Sequence, residues 1–188
     1  PAVSSPAQAE ASGKPVIYIQ ANIHGGEVEG KEASLIAMRD ILFGDKQHLL
    51  DNQILIFVPI YNADGNDALR ENSRPNQELS PVMTGLRTAH GYDLNRDGMI
   101  VEAEETEALF SNVIQRWDPD LLVDLHTTNG TWHGNSLTYA PSYATAGDAS
   151  TSNYTSEVML PALKQSVKEK YNLDFDWYGG YDYRSWPP

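Results

Sequence analysis

Two side chains that can bind a metal, those of His24 and Glu27, directly follow an apolar stretch of the sequence, PVIYIQANI. Only two glycines separate them, so a tight turn could bring an imidazole nitrogen and a carboxylate oxygen to one ion. A catalytic zinc takes three protein ligands and keeps its fourth position for water or substrate. The pair therefore predicts part of a zinc site if a third ligand exists; otherwise it is an ordinary polar turn between a strand and a helix.

His126 is the candidate for the third ligand because it ends another apolar run, DLLVDLH. The carboxyl ends of parallel strands form the edge of an α/β sheet at which ligands bind. Asp124 stands two residues earlier, on the same face of that strand, and is a candidate partner for an imidazole N–H. The remaining histidines do not end apolar runs; they are His48, His90 and His133.

The pattern of apolar residues predicts the elements that would position these ligands. Short runs rich in β-branched residues predict strands over 15–23, 53–60 and 120–126. Helical spacing predicts helices over 26–44, 102–117 and 153–171, the last with a kink at Pro161. Strands that alternate with helices predict a mixed α/β fold, with a largely parallel sheet and helices on both of its faces.

Composition and charge restrict the class of protein. The chain has 188 residues and fits one domain, predicted over 15–188 after a linker or disordered segment over 1–14. Its net charge of -13 argues against a nucleic-acid partner. It has no cysteine, which excludes disulfides and thiolate ligands, and no apolar run long enough to span a membrane. We expect a secreted or periplasmic protein.

Four pieces of the sequence carry a family resemblance when they are taken together. They are, in chain order, NIHGGEVEG, YNADGN, GYDLNRD and DLHTTNG. In this order they resemble the M14 (carboxypeptidase A-like) family of zinc carboxypeptidases. The resemblance implies that His24, Glu27 and His126 hold one zinc ion. It also implies that Asn95 and Arg96 hold the terminal carboxylate of a substrate, which a guanidinium fork suits well.

The resemblance implies further residues that this sequence supplies only in part. The family has an arginine that polarises the scissile carbonyl; Arg87 is our first candidate and Arg74 its competitor. The family's general base is a glutamate on a later strand, and no carboxylate after His126 stands in a matching context. The carboxylates considered are Asp148, Glu157, Glu169, Asp174, Asp176 and Asp182, and the candidates for a substrate-capping tyrosine are Tyr178, Tyr181 and Tyr183. We therefore expect the domain to be incomplete at its C-terminus.

The segment DLNRDGMIVEAE, residues 93–104, also fits the calcium loop of an EF-hand. The possible calcium ligands are Asp93, Asn95, Asp97 and Glu104. The helical pattern that follows the segment favours this interpretation. The glycines and proline that precede it disfavour an entering helix, and the sequence has only one such loop. An acidic helix start, favoured by the helix dipole, is a further alternative.

The functions predicted from the sequence follow from these two sites. The first is a zinc metallocarboxypeptidase that hydrolyses a C-terminal peptide bond by means of a metal-activated water. The second is a deacylase of the same fold, acting on N-acyl amino acids. Both would bind a substrate with a free carboxylate. The third is a non-catalytic module that binds calcium or a peptide and uses residues 93–104.

Overall fold

A computed structural model of the chain describes residues 3–71, 82–83, 88, 90–128, 133–142, 144 and 146–178. The chain divides into two compact units, Pro1–Gly130 and Thr131–Pro188, which are called here the first and the second unit. All three residues of the predicted zinc site belong to the first unit. The single domain predicted over 15–188 stays a prediction.

The first unit contains most of the secondary structure. Its helices are α1 (Pro6–Ser12), α2 (Glu29–Phe43), α3 (Ala63–Asp67), α4 (Leu94–Asp97), α5 (Glu104–Leu109) and α6 (Gln115–Trp117), with a 3-10 turn at Gln47–Leu50 and a π-helical turn at Phe110–Ile114 between α5 and α6. Its strands are β1 (Val16–Ala21), β2 (Ile54–Val58), β3 (Arg70–Glu71), β4 (Val82–Met83) and β5 (Leu121–Leu125). The three strands and the first two long helices predicted from the sequence are present at these positions.

A three-stranded parallel sheet positions the predicted metal ligands. Its strand order is β2–β1–β5, so β1 lies in the centre and pairs with a parallel neighbour on each side. The register places Ala21, at the end of β1, opposite Leu125, at the end of β5. The residues that follow these two strands therefore leave the sheet at the same edge, side by side.

Helix α2 packs closely against the sheet at Gly30. A β-carbon at Gly30 would lie 2.7 Å from the β-carbon of Leu125, a separation at which one of the two residues would have to move. Gly30, Ser34 and Ile41 are the buried residues of α2, and they lie along one side of the helix. The contact fixes the start of α2, and with it the turn between β1 and α2, next to the end of β5.

A small apolar core joins the elements around this edge. Its buried members are Ile23, Tyr61, Leu94 and Ala103, and half-buried Val58, Tyr92 and Leu109 pack against it. The hydroxyl of Tyr61 also donates a hydrogen bond to Oγ1 of Thr106, at 3.2 Å. Ile23 directly precedes His24, and Leu94 directly follows Asp93. The core therefore fixes the backbone next to both of these polar residues.

The second unit contains β6 (Leu137–Tyr139), α7 (Ala149–Asn153), α8 (Leu160–Tyr171) and β7 (Phe175–Trp177). Strands β6 and β7 pair in parallel. A π-helical turn, Tyr154–Met159, joins α7 to α8 and ends two residues before Pro161. The helix predicted over 153–171 is therefore present, and it contains a wider π-helical turn just before the proline, which has no N–H to donate.

Helix α1 is the main departure from the predicted elements. The sequence predicts a linker or disordered segment over 1–14, and within it Pro6–Ser12 form a helix. The side chain of Ser5 accepts a hydrogen bond from the N–H of Gln8, and Pro6 stands in the first turn, where its missing N–H costs nothing. Gly13 ends the helix with a φ of 65°, and Ala9 is buried. None of the described helices is long and apolar enough to cross a membrane.

Candidate metal centre

The three predicted zinc ligands lie together at the edge of the sheet. Nδ1 of His24 is 2.9 Å from Oε1 of Glu27, and Nδ1 of His126 is 2.9 Å from Oε2 of the same carboxylate. The two imidazole rings stand edge to face, with their centroids 5.2 Å apart. Over the residues that the structure describes, this is the one group of three or more such side chains that could hold a metal, with donor atoms within 4.8 Å of one another.

The residues 22–27, called here the ligand turn, take their shape from a close contact with α3. The N–H of Glu27 donates to the carbonyl of His24, at 2.9 Å, which closes the turn. A β-carbon at Gly25 would lie 2.3 Å from the carbonyl carbon of Gly65, so no larger residue fits at Gly25. The Gly-Gly pair between the two ligands is therefore required by packing as well as by the tightness of the turn.

Each imidazole has an acid on its far side. Nε2 of His126 lies 3.0 Å from Oδ2 of Asp124, which confirms the partner predicted for this histidine. Nε2 of His24 lies 3.4 Å from Oδ1 of Asp93. The backbone N–H of Thr127 donates to Oε2 of Glu27, at 3.0 Å. Carboxylates behind metal-bound histidines fix the orientation of the ring and strengthen the ligand, and both histidines here have one.

The charges around His126 favour a bound cation. Burial lowers the pKa of His126, but its hydrogen bonds to Asp124 and Glu27 raise it more, to about 10. The imidazole is therefore protonated at neutral pH, held between two carboxylates. A metal needs a deprotonated nitrogen, so its binding would replace this proton by another positive charge.

The donor set fits a catalytic zinc. Two imidazole nitrogens and one carboxylate oxygen are the three protein ligands of one known class of catalytic zinc site, which leaves a fourth position for water. With metal–ligand bonds of about 2.1 Å, the ligand atoms around a tetrahedral zinc lie about 3.4 Å apart. The observed contacts of 2.9 Å therefore fit one ion after small movements of the side chains.

Comparison with protein families decides the relationship of the chain. The sequence model of Peptidase_M14, described as zinc carboxypeptidase, matches residues 2–99. The chain belongs to the M14 family of zinc carboxypeptidases. This confirms the resemblance carried by the four sequence pieces. A search of curated protein sequences found no match.

Two solved structures resemble the fold of this M14 chain. A proposed carboxypeptidase from Burkholderia mallei matches with a TM-score of 0.60 and 23% identity, over 92% of this chain and 42% of that one. Carboxypeptidase A from Helicoverpa armigera matches with a TM-score of 0.52 and 17% identity, over 91% and 46% of the two chains. The predicted fold class, a mixed α/β fold with a largely parallel sheet, is thereby confirmed. The M14 chain spans less than half of the length of either structure.

The residues predicted to bind the substrate carboxylate stand on α4, next to the metal ligands. Asp93 begins this helix by accepting a hydrogen bond from the N–H of Asn95, at 3.1 Å, and the same carboxylate faces His24. Asn95 is half-buried, and Arg96 is exposed with its guanidinium donating to the carbonyl of Asn95, at 2.8 Å. The second predicted arginine is outside the described residues, whether it is Arg87 or Arg74.

Four of the carboxylates considered as a general base have local roles in the second unit of the M14 chain, and a fifth, Glu157, stands in the π-helical turn Tyr154–Met159. Asp148 begins α7 by accepting hydrogen bonds from the N–H groups of Ser150 and Thr151. Asp174 and Asp176 pair with Lys168 and Lys164 of α8, and Glu169 accepts from Gln165. Tyr178 contacts the ring of His133, at 5.2 Å between centroids. Asp182, Tyr181 and Tyr183 lie outside the described residues.

Residues 93–104, called here the acidic loop, do not bring their acidic side chains together in the structure. Asp97 is 5% exposed, and its two oxygens accept hydrogen bonds from the N–H groups of Glu102, at 2.9 Å, and Ala103, at 3.0 Å. Asp93 faces His24, and the loop, all of which the structure describes, contains no cluster of metal-binding acids. The calcium alternative therefore has no support, and Asp97 serves to fix the start of α5.

Two buried asparagines at the ligand turn are absent from the set predicted from the sequence. Asn22 and Asn62 are both 0% exposed. Asn62 donates from Nδ2 to the carbonyl of Ile23, at 3.0 Å, and accepts from the N–H of Gly65, at 2.8 Å. Each asparagine closely follows an apolar strand pattern. At such a position a histidine predicts a metal ligand, whereas an uncharged amide does not.

Proposed function

We propose that this M14 chain carries the zinc site of a carboxypeptidase that hydrolyses the C-terminal peptide bond of its substrate. His24, Glu27 and His126 would hold the ion. The observation that supports this most directly is the contact of both histidines with one carboxylate, because Glu27 and His126 are 99 positions apart in the sequence. Membership of a family of zinc carboxypeptidases supports the same conclusion.

The residues of the chain divide the work of the site between them. A zinc ion bound here would lower the pKa of a water ligand toward about 7 and polarise the substrate carbonyl. Asp93 and Asp124 orient the two imidazoles from their Nε2 atoms, so that both Nδ1 atoms face the buried carboxylate of Glu27. The backbone N–H of Thr127 adds a fixed donor to Glu27, so its carboxylate stays in place when the histidines turn toward a metal.

The substrate carboxylate would meet Asn95 and Arg96. An arginine binds a carboxylate through two parallel N–H groups, whereas an amide gives single hydrogen bonds. The guanidinium of Arg96 is exposed and donates a hydrogen bond to the carbonyl of Asn95, which it can exchange for a substrate oxygen. The arginine assigned to the scissile carbonyl is Arg87, with Arg74 as its competitor.

Metal content tests the first part of this proposal. We expect about one zinc per chain by elemental analysis of the purified protein, and loss of that zinc in His126→Ala. His48→Ala is the matched control, because His48 is an exposed histidine of the 3-10 turn and contacts the carbonyl of Asp45. Absence of zinc from the unsubstituted protein, or equal zinc in His126→Ala, would contradict the assigned ligands.

Peptide binding tests the second part without requiring turnover. A peptide with a free C-terminus should bind the zinc-loaded protein more tightly than the same peptide with an amidated C-terminus, by calorimetry. Arg96→Ala should remove most of that difference. An N-acyl amino acid, assayed beside the peptide for binding and hydrolysis, separates the peptidase from the deacylase alternative. If the amidated peptide bound equally well to the unsubstituted protein, Asn95 and Arg96 would not be the carboxylate site.

A further inference from the structure

Asn22 links the central strand to the first metal ligand and has an unusual backbone conformation. Its φ is 62°, in the left-handed region, and its side chain is 0% exposed. Asparagine tolerates this region better than other residues with a side chain, but glycine does so at no steric cost. The position therefore combines a conformation that suits glycine with a buried polar side chain that glycine lacks.

The amide of Asn22 points into the ligand turn. Its Nδ2 lies 2.9 Å from the carbonyl oxygen of Gly25, 3.2 Å from that of Glu27 and 3.4 Å from that of His24. An amide nitrogen carries two hydrogens, so the two shorter contacts use both of them and the longest is shared. Three carbonyls around one atom also fix the orientation of the amide, because an oxygen in its place would be repelled.

This arrangement has a cost elsewhere on the same side chain. The Oδ1 atom of Asn22 is buried and has no hydrogen-bond partner among the described residues. A buried polar atom without a partner destabilises the folded state, and native proteins contain few of them. The contacts that the amide nitrogen makes must therefore offset two energetic costs, that of the buried oxygen and that of the left-handed backbone conformation.

A second asparagine holds the same turn from α3. The N–H of Asn62 donates to the carbonyl of Asn22, at 3.2 Å, and its Nδ2 donates to the carbonyl of Ile23, at 3.0 Å. The two asparagines together hold the carbonyls of residues 22, 23, 24, 25 and 27. The backbone that connects His24 to Glu27 is thereby fixed from both sides.

We propose that Asn22 is a positioning residue for the metal: its amide holds the ligand turn in the shape that directs His24 and Glu27 to one ion. This inference rests on the proposed zinc site. A turn that is already in its binding shape loses less freedom when the metal binds, so the affinity is higher than for a flexible turn. Without the amide, the fold would keep β1 and α2, but the two ligands would sample more orientations.

Asn22→Gly isolates this role, because glycine keeps the left-handed backbone and removes only the amide. We expect its zinc affinity, measured by competition with a chromogenic chelator, to fall by about 10- to 100-fold, the range found when partners of metal ligands are removed. The absorption spectrum of the cobalt-substituted protein should change as well. Asn172→Gly is the matched control: Asn172 also has a left-handed φ, of 53°, but stands exposed at the end of α8, and its zinc affinity should be unchanged.

The outcomes separate this inference from the proposed function. If the unsubstituted protein binds no zinc, both fail; if it binds zinc and Asn22→Gly binds equally well, only the role of Asn22 fails. Should Asn22→Gly not fold, as judged by circular dichroism, Asn22→Ser takes its place, since its hydroxyl keeps one donor and should give a smaller loss of affinity. Failure of both variants to fold would overturn the inference, because Asn22 would then serve the fold and not the metal geometry.

Discussion

The ligand turn, residues 22–27, and the acidic loop, residues 93–104, both carry residue types that suit a metal, but they use their carboxylates differently. Each oxygen of Glu27 faces an imidazole, and the backbone N–H of Thr127 donates to one of them. Both oxygens of Asp97 are occupied by the backbone N–H groups at the start of α5. A carboxylate that faces other potential ligands is available to a metal, whereas one that accepts from the backbone has a structural role.

The two regions also differ in how tightly they are packed. Gly25 of the ligand turn lies against the backbone of Gly65, and the buried amide of Asn22 fills the inside of the turn. A β-carbon at Gly98, in the acidic loop, would meet no atom within 4 Å. Beyond Gly98 the loop exposes Met99, 97% exposed, and Ile100, 66% exposed. The middle of the acidic loop is therefore loosely packed, whereas the middle of the ligand turn is packed against α3.

The largest expected effect is that of Gly25→Ala. The new β-carbon would collide with backbone atoms of α3, 2.3 Å away, which cannot move without displacing the helix. We expect the free energy of unfolding to fall by at least about 3 kcal/mol, measured by urea denaturation.

Gly98→Ala is the control in the other region. Its φ of -58° suits any residue and its β-carbon meets open space, so the free energy of unfolding should stay the same or rise slightly. Equal effects of the two substitutions would show that the packing contrast between the regions is wrong.

The next effect concerns Asp97→Ala, which removes the acceptor of two backbone N–H groups. We expect a loss of about 2–3 kcal/mol in the free energy of unfolding, because the N–H groups of Glu102 and Ala103 lose a charged partner in a buried place. Asp51→Ala, at an exposed aspartate after the 3-10 turn, should change it by less than about 0.5 kcal/mol.

The effect of Asp97→Ala should depend on pH. Burial raises the pKa of Asp97, but the hydrogen bonds from Glu102, Ala103 and Thr106 lower it further, so it lies below its ordinary value of 3.8. The stabilisation by Asp97 is thus fully present above pH 3.8 and is lost as the pH falls through the lower pKa of the folded state. The difference in the free energy of unfolding between the unsubstituted protein and Asp97→Ala should therefore become smaller as the pH falls. A difference that stays constant down to pH 2 would show that the charge of Asp97 is not what stabilises the fold.

The smallest expected effect is that of calcium. Addition of millimolar calcium should leave the melting temperature of the protein unchanged, because the oxygens of Asp97 are already paired and Asp93 faces His24. Zinc should raise the melting temperature in the same assay, as a ligand of the folded state does. A calcium-dependent rise that disappears in Glu104→Ala would restore the calcium alternative.

The sequence predicts the part of the site that depends on strand ends. Apolar runs predict strands, parallel strands end at one edge, and His24 and His126 follow two such runs; the pairing of Ala21 with Leu125 confirms this reasoning. The role of Asn22 could not be predicted in this way, because it depends on the positions that three backbone carbonyls take in the folded ligand turn. The calcium pattern has no support in the structure for the same reason: the spacing gives residue types, and the direction of the Asp97 oxygens is decided by the start of α5.

Glu27 and His126 are 99 positions apart, and their contact depends on the parallel pairing of β1 with β5. To form this pairing the chain must close a long loop, which loses conformational entropy before the contacts between the strands compensate for it. Parallel sheets of this kind therefore form slowly. The proposed metal site would therefore be completed late in folding: before β5 has joined β1, only two of its three proposed ligands, His24 and Glu27, are close to each other.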